Sequence, residues 1–146
     1  MKVQFDFKER IKKYGLILMS IYIKDKQAVM LVDTGSIGNV IDINFVKDLD
    51  IDLPTPIKSK MSGFNSCNEF EYSELIINDV LIENVFKTNI DFKVLDLEHT
   101  IKTFNDDYGI KFTGILGSDF LNKNKIIIDY KNKKIIYESN NWYWHC

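Results

Sequence analysis

Arginine is almost missing from this chain. Lys and Arg together number 19 of 146 residues, and Arg10 is the single arginine. The bidentate forks that grip phosphates and guanine edges are therefore poorly supplied. Asp and Glu number 21 and leave a formal net charge of −2, so no basic face is expected and nucleic acid is excluded as a partner. Two cysteines, Cys67 and Cys146, make neither a disulfide framework nor a metal cluster. With only His99 and His145 to add, no zinc spacing can be assembled, and neither a metal nor a cofactor is expected. The longest apolar stretch, Leu16 to Ile23, includes Ser20 and covers less than half a membrane span. It lies behind the mixed-charge Phe5–Arg10, too far inside to read as a secretory signal. These absences predict a cytoplasmic protein with no membrane span.

Alanine is equally scarce, with Ala28 standing alone against 21 Ile, 10 Phe and 7 Tyr. β-Branched and aromatic residues suit pleated, half-buried surfaces, and an alanine-poor chain is weak material for a helix bundle. Short apolar runs alternate with turn chemistry along most of the length. Leu16–Ile23 and Ala28–Val32 read as a hairpin that ends in Asp33-Thr34-Gly35-Ser36. Val40–Ile41 follows, and Asp42 can cap a short helix over Ile43–Leu49. Lys58–Met61 and Glu69–Ile77 flank a turn-rich Gly63–Asn68, the pattern of a protruding hairpin. Val80–Val85 and Phe86–Val94 read as two further strands. Leu97, Ile101, Phe104 and Tyr108 fall on one helical face, with Gly109 as a stop. A strand over Phe112–Leu116 leads to a short helix that Ser118 or Asp119 can cap. Lys125–Tyr130 and Lys134–Glu138 form a closing hairpin. No linker and no internal repeat divides the chain, so residues 1–146 are read as one mostly-β domain with two or three short helices. Residues 1–15 are an N-terminal extension in this reading and 139–146 an aromatic tail.

Two segments could carry chemistry. Asp33-Thr34-Gly35-Ser36 follows a hydrophobic strand; such a turn is common, and function and plain turn stand open on these residues alone. Further on, Gly114-Ile115-Leu116-Gly117-Ser118-Asp119 makes a strand-to-helix corner, where glycine can serve backbone geometry alone. Asp119 fits a stabilising helix N-terminus better than a functional acid. A nucleophilic Cys67 has nothing nearby to lower its pKa and sits at a hairpin tip, a poor rigid platform. Trp142, Tyr143 and Trp144 suit either an interface or a fold-back onto the core.

Together, in this order and spacing, the two segments resemble the retropepsin-like aspartic proteases over Ile17 to about Tyr137. The resemblance implies a closed single-lobe β-barrel of the acid-protease type, with Asp33 as the catalytic side chain. It further implies supporting roles for Thr34, Gly35, Ser36 and Gly117: Thr34 bonding across a dimer axis, Gly35 allowing close substrate approach, Ser36 donating to the Asp33 carboxylate, and Gly117 packing under the loop. Lys58–Phe64 looks like the entry to a flap, which would place Met61, Ser62, Gly63 and Phe64 over the substrate. One glycine stands there where that flap is usually glycine-rich.

The chemistry of such a site needs two carboxylates that share one proton, and like charges so close cannot both ionise. This chain has one Asp-Thr-Gly and no room for a second lobe. The expectation is therefore a homodimer that cleaves a peptide or protein substrate with one Asp33 from each subunit. A catalytically silent module of the same fold, used for peptide binding or dimerisation, is the alternative.

Overall fold

The computed structural model describes residues 2–60 and 69–138. The expected flap residues Met61, Ser62, Gly63 and Phe64, Cys67, and the tail from 139 to 146 lie outside the described residues.

Local chemistry sets most of the elements. β2 (Leu18–Ile23) and β3 (Lys26–Val32) pair antiparallel through Lys24 and Asp25, both at positive φ, 48° and 66°. Two consecutive left-handed residues match the twist of a tight hairpin. β4 (Asn39–Asp42) is buried throughout and runs into α2 (Ile43–Lys47). Asp42 stands at the N-cap of α2 but makes no side-chain cap; its carboxylate instead accepts the Leu97 N–H at 3.0 Å, buried beneath α3. The helix α3 (Glu98–Tyr108) ends where Gly109 turns left-handed at φ 66°, the conformation glycine adopts most cheaply. Its apolar stripe meets a cluster of Leu18, Val40, Ile110, Phe112 and Ile115 through Leu97, Ile101 and Phe104. Tyr108, the expected fourth member, is exposed.

The predicted pair of strands over 69–85 is a single one, β6 (Glu69–Ile82). Between Ile77 and Val80 its register shifts, and Asp79, at φ 56°, donates its N–H to Asn89 Oδ1 at 3.0 Å. The bulge bends the strand without breaking it, so one element serves two partners. Its first residues pair with β5 (Ile57–Lys60), and its last, Leu81 and Ile82, pair with Tyr22 and Ile21 of β2. Along its length it also pairs with β7 (Phe86–Leu95). Turn residues Glu83 and Asn84, again at positive φ, join the two.

The strand order β2-β3-β8-β4-β7-β6-β5, with β2 also bonded to β6, closes six strands into a barrel; β8 is Gly114–Leu116, and β5 stays outside the ring. Alternate side chains of β2 and β7, among them Met19, Ile21, Ile90, Phe92 and Val94, fill the interior. After β8 come α4 (Ser118–Lys123), β9 (Ile127–Asp129) and β10 (Lys134–Glu138).

The N-terminal segment is built in. β1 (Lys2–Asp6) pairs with β10 at one side of a three-stranded sheet, Phe7 is fully buried, and α1 (Lys8–Tyr14) follows. Nothing in its mixed-charge sequence separates it from a loose extension, because its partner strand lies at the far end of the chain. Among the described residues, no helix is long and apolar enough to cross a membrane.

Candidate active site

The position of the site follows from one parallel pairing. β3 and β8 run side by side in the same direction, with Val32 opposite Leu116. Both strands therefore end at the same edge of the barrel, and the residues that leave them, Asp33 and Gly117, become neighbours although they are distant in sequence. β4 then returns antiparallel to β8. The loop 33–38 thus steps across the end of β8, from the strand on one side to the strand on the other.

That loop and the first residue of β4 are fastened to the corner beneath them by four hydrogen bonds. The Asp33 N–H donates to the Leu116 carbonyl at 3.0 Å. In return the N–H groups of Gly117, Ser118 and Asp119 reach up to Asn39 Oδ1, the Ser36 carbonyl and the Ile37 carbonyl, at 2.9, 2.7 and 2.9 Å. These three donors stand at the N-terminus of α4, where no intrahelical acceptor exists for them. Neither Ser118 nor Asp119 caps the helix, as the sequence had suggested; the N-cap is Gly117, and the loop supplies the acceptors. Asp119 is exposed in the first turn. The approach is as close as backbone allows: a Cβ on Gly117 would lie 2.2 Å from the Gly38 carbonyl oxygen and 2.6 Å from that of Ser36.

Within the loop, Asp33 is half-buried, while Thr34 and Gly35 are exposed. The Gly35 N–H donates to Asp33 Oδ1 at 2.9 Å and the Ser36 N–H to the Asp33 carbonyl at 3.1 Å, an aspartate turn that fixes the carboxylate against its own backbone. A Cβ on Gly35 would stand 3.2 Å from that same Oδ1, so glycine keeps the carboxylate uncrowded. Ser36 departs from expectation. Its hydroxyl donates to the Gly38 carbonyl at 2.9 Å, closing the loop on itself rather than reaching the Asp33 carboxylate. Ile115 and Leu116 are buried and belong to the core.

Two polar residues that the sequence did not single out complete the arrangement. Asn39 is buried and also donates from Nδ2 to the Asp91 carbonyl of β7 at 3.3 Å. Asn124, buried at the end of α4, bonds the Phe120 carbonyl and the Thr88 hydroxyl. A hollow of about 330 Å³ between α4 and β7 is lined by Asn39, Asp91, Phe120 and Asn124 among others, and Asp33 does not line it. Among the described residues, no cluster of His, Cys, Asp and Glu could hold a metal ion.

Comparison with known proteins shows the family and the fold. A family model described as aspartyl protease matches residues 19–120, which include most of β2, the loop, β8 and the start of α4. Among solved structures, a retropepsin-like aspartic protease from Rickettsia conorii is similar in fold at a TM-score of 0.60. It is 18% identical, over 94% of this chain and 89% of that one. No curated protein matches the chain.

Proposed function

Since the chain belongs to the aspartyl protease family and has the retropepsin-like single-lobe fold, we propose that it is an endopeptidase working as a homodimer, with Asp33 of each subunit forming the catalytic pair. The observation that carries this reading is the Asp33 loop, half-exposed at the barrel edge and held from below by backbone bonds. Electrostatics supplies the rest. Two carboxylates brought together across a two-fold axis cannot both ionise, so the pair holds one proton between them. The ionised member then takes a proton from the attacking water as the protonated one donates to the scissile carbonyl. The pair titrates as a unit and gives activity on both sides a limb.

One chain has one Asp-Thr-Gly, which makes the second copy a chemical requirement in this mechanism. C2 pairing is also the commonest oligomer symmetry. In the pair, Thr34 would bond across the axis and Gly35 would let the substrate backbone approach; both are exposed in the single chain, which supports this reading. The substrate is an extended peptide segment held by main-chain hydrogen bonds, with Met61, Ser62, Gly63 and Phe64 as the covering flap.

The deciding experiment is cleavage of a random peptide library between about pH 4 and 7, comparing the native chain with Asp33→Asn. The substitution should lower cleavage by about a thousandfold or more while circular dichroism and sedimentation stay unchanged. Full cleavage by Asp33→Asn removes the assignment; a native chain that binds pepstatin or peptides without cutting them would instead mark a silent binding module.

A further inference from the structure

Asn39 is an unusual choice for its position. It opens β4, is 4% exposed, and precedes the apolar Val40 and Ile41. Asparagine is disfavoured in strands, and a buried carboxamide is costly unless its polar atoms are bonded. Here they are bonded in two directions, Oδ1 to the Gly117 N–H at 2.9 Å and Nδ2 to the Asp91 carbonyl at 3.3 Å. Neither bond belongs to the sheet ladder. One arm is anchored on β7, a strand of the barrel wall, and the other holds the residue on which the loop rests.

The route from Asn39 to the carboxylate is short. Gly117 follows Leu116, whose carbonyl accepts the Asp33 N–H at 3.0 Å. Gly117 is also pressed against the Ser36 and Gly38 carbonyls, with no space for a Cβ. Any shift of Gly117 therefore moves the floor of the loop and the bond that sets the height of Asp33. Other donors in this corner find main-chain oxygens that any sequence would supply; the acceptor for Gly117 is the one that depends on side-chain identity.

Resting on the homodimeric peptidase reading, we propose that Asn39 is a positioning residue for Asp33. Its carboxamide keeps Gly117 in register with the loop and so aims the carboxylate at its counterpart. It touches no substrate. In a two-fold pair each displacement enters twice, once from each loop, and a shared proton tolerates little separation between the oxygens. Loss of the clasp should therefore slow the chemical step while substrate binding, made by other groups, is kept.

The test compares Asn39→Leu, similar in volume but without an acceptor, with Asn39→Asp, which keeps an acceptor for the Gly117 N–H. Asn39→Leu should lower kcat by about 10- to 100-fold, leave KM within about twofold, and speed hydrogen exchange at the Gly117 amide. Asn39→Asp should recover most of kcat. A wild-type kcat in Asn39→Leu, a loss seen in KM alone, or an Asp variant no better than the Leu variant overturns the role. If Asn39→Leu does not fold, Asn39→Ser replaces it, and a kcat indistinguishable from wild type there has the same force. A native chain that cuts no peptide overturns the peptidase reading and this role together, whereas an active native chain beside an unimpaired Asn39→Leu overturns the role alone.

Discussion

Ser36 illustrates how one hydroxyl can be assigned two roles that differ in what they predict. Had it donated to the Asp33 carboxylate, it would favour the charged form and move activity toward acid. It donates instead to the Gly38 carbonyl at 2.9 Å, and the Asp33 carboxylate receives the Gly35 N–H. Ser36→Ala should then cost about 1 kcal/mol of stability, the usual worth of one such bond. It should leave the acid limb of the pH–rate profile where it was. A urea midpoint and a pH series on the same preparation check both parts. Asp33, Gly35 and Gly117 were legible in the sequence because their pattern, an Asp-Thr-Gly after a strand and an apolar-apolar-Gly corner, is local. Asn39 was not, since a polar residue between a glycine and a short apolar run has the same appearance whether it ends a loop or clasps a distant backbone.

At the scale of elements, α1 is tied to the barrel by one ionic contact beside its apolar packing. Arg10 pairs with Glu83 in the β6–β7 turn and donates to the Leu18 carbonyl, while the Glu83 carboxylate also accepts the Ser20 N–H at 2.9 Å. The helix has no fully buried residue of its own; this contact, the neighbouring Phe7 and the partly buried Ile11 and Tyr14, packed against the core, attach it to the barrel. The Glu83 hydrogen bond raises the Arg10 pKa above its ordinary value, against the opposing effect of burial. A raised pKa means that the stabilisation is complete below the unfolded value and is lost only as pH climbs past the folded one. On the arginine side, then, the contact is independent of pH throughout the working range of the protein. Glu83→Ala removes the carboxylate from Arg10, which keeps the Leu18 carbonyl, and from the Ser20 N–H. With a third of the Arg10 side chain still exposed, the cost is screened to about 1–2 kcal/mol. The expected signature is faster amide exchange in 8–14 and a lower urea midpoint, with cleavage retained. Unchanged exchange across α1 would show that the packing of Phe7, Ile11 and Tyr14 secures it without the ion pair. Nothing local in the sequence marks α1 as part of the fold, because Glu83 lies 73 residues from Arg10.

At the scale of the whole molecule, the proposed homodimer would behave as no single-chain enzyme does. Specific activity should rise as the chain is concentrated through its dimerisation range. Adding an excess of Asp33→Asn chains should suppress the native activity, because subunits then exchange into mixed pairs with one carboxylate. Sedimentation of the mixture checks that pairing itself is intact. Activity that is proportional to concentration and indifferent to the added variant would place the whole catalytic apparatus in one chain.

Patterns within about ten residues were set by the sequence alone: the β2–β3 hairpin, the Gly109 stop of α3, the Asp33 turn and the mostly-β class. Their causes are local, in turn propensity, side-chain period and backbone conformation. Tertiary structure decided what those elements meet. Parallel pairing of β3 with β8 placed Gly117 beneath Asp33, the bulge in β6 let one strand both meet β5 and close the barrel, and packing gave the Asp42 carboxylate to Leu97 in place of its own helix. Each of these depends on which distant backbone donor or apolar face arrives at a given point, and a buried polar group bonds whatever partner the closed barrel brings to it.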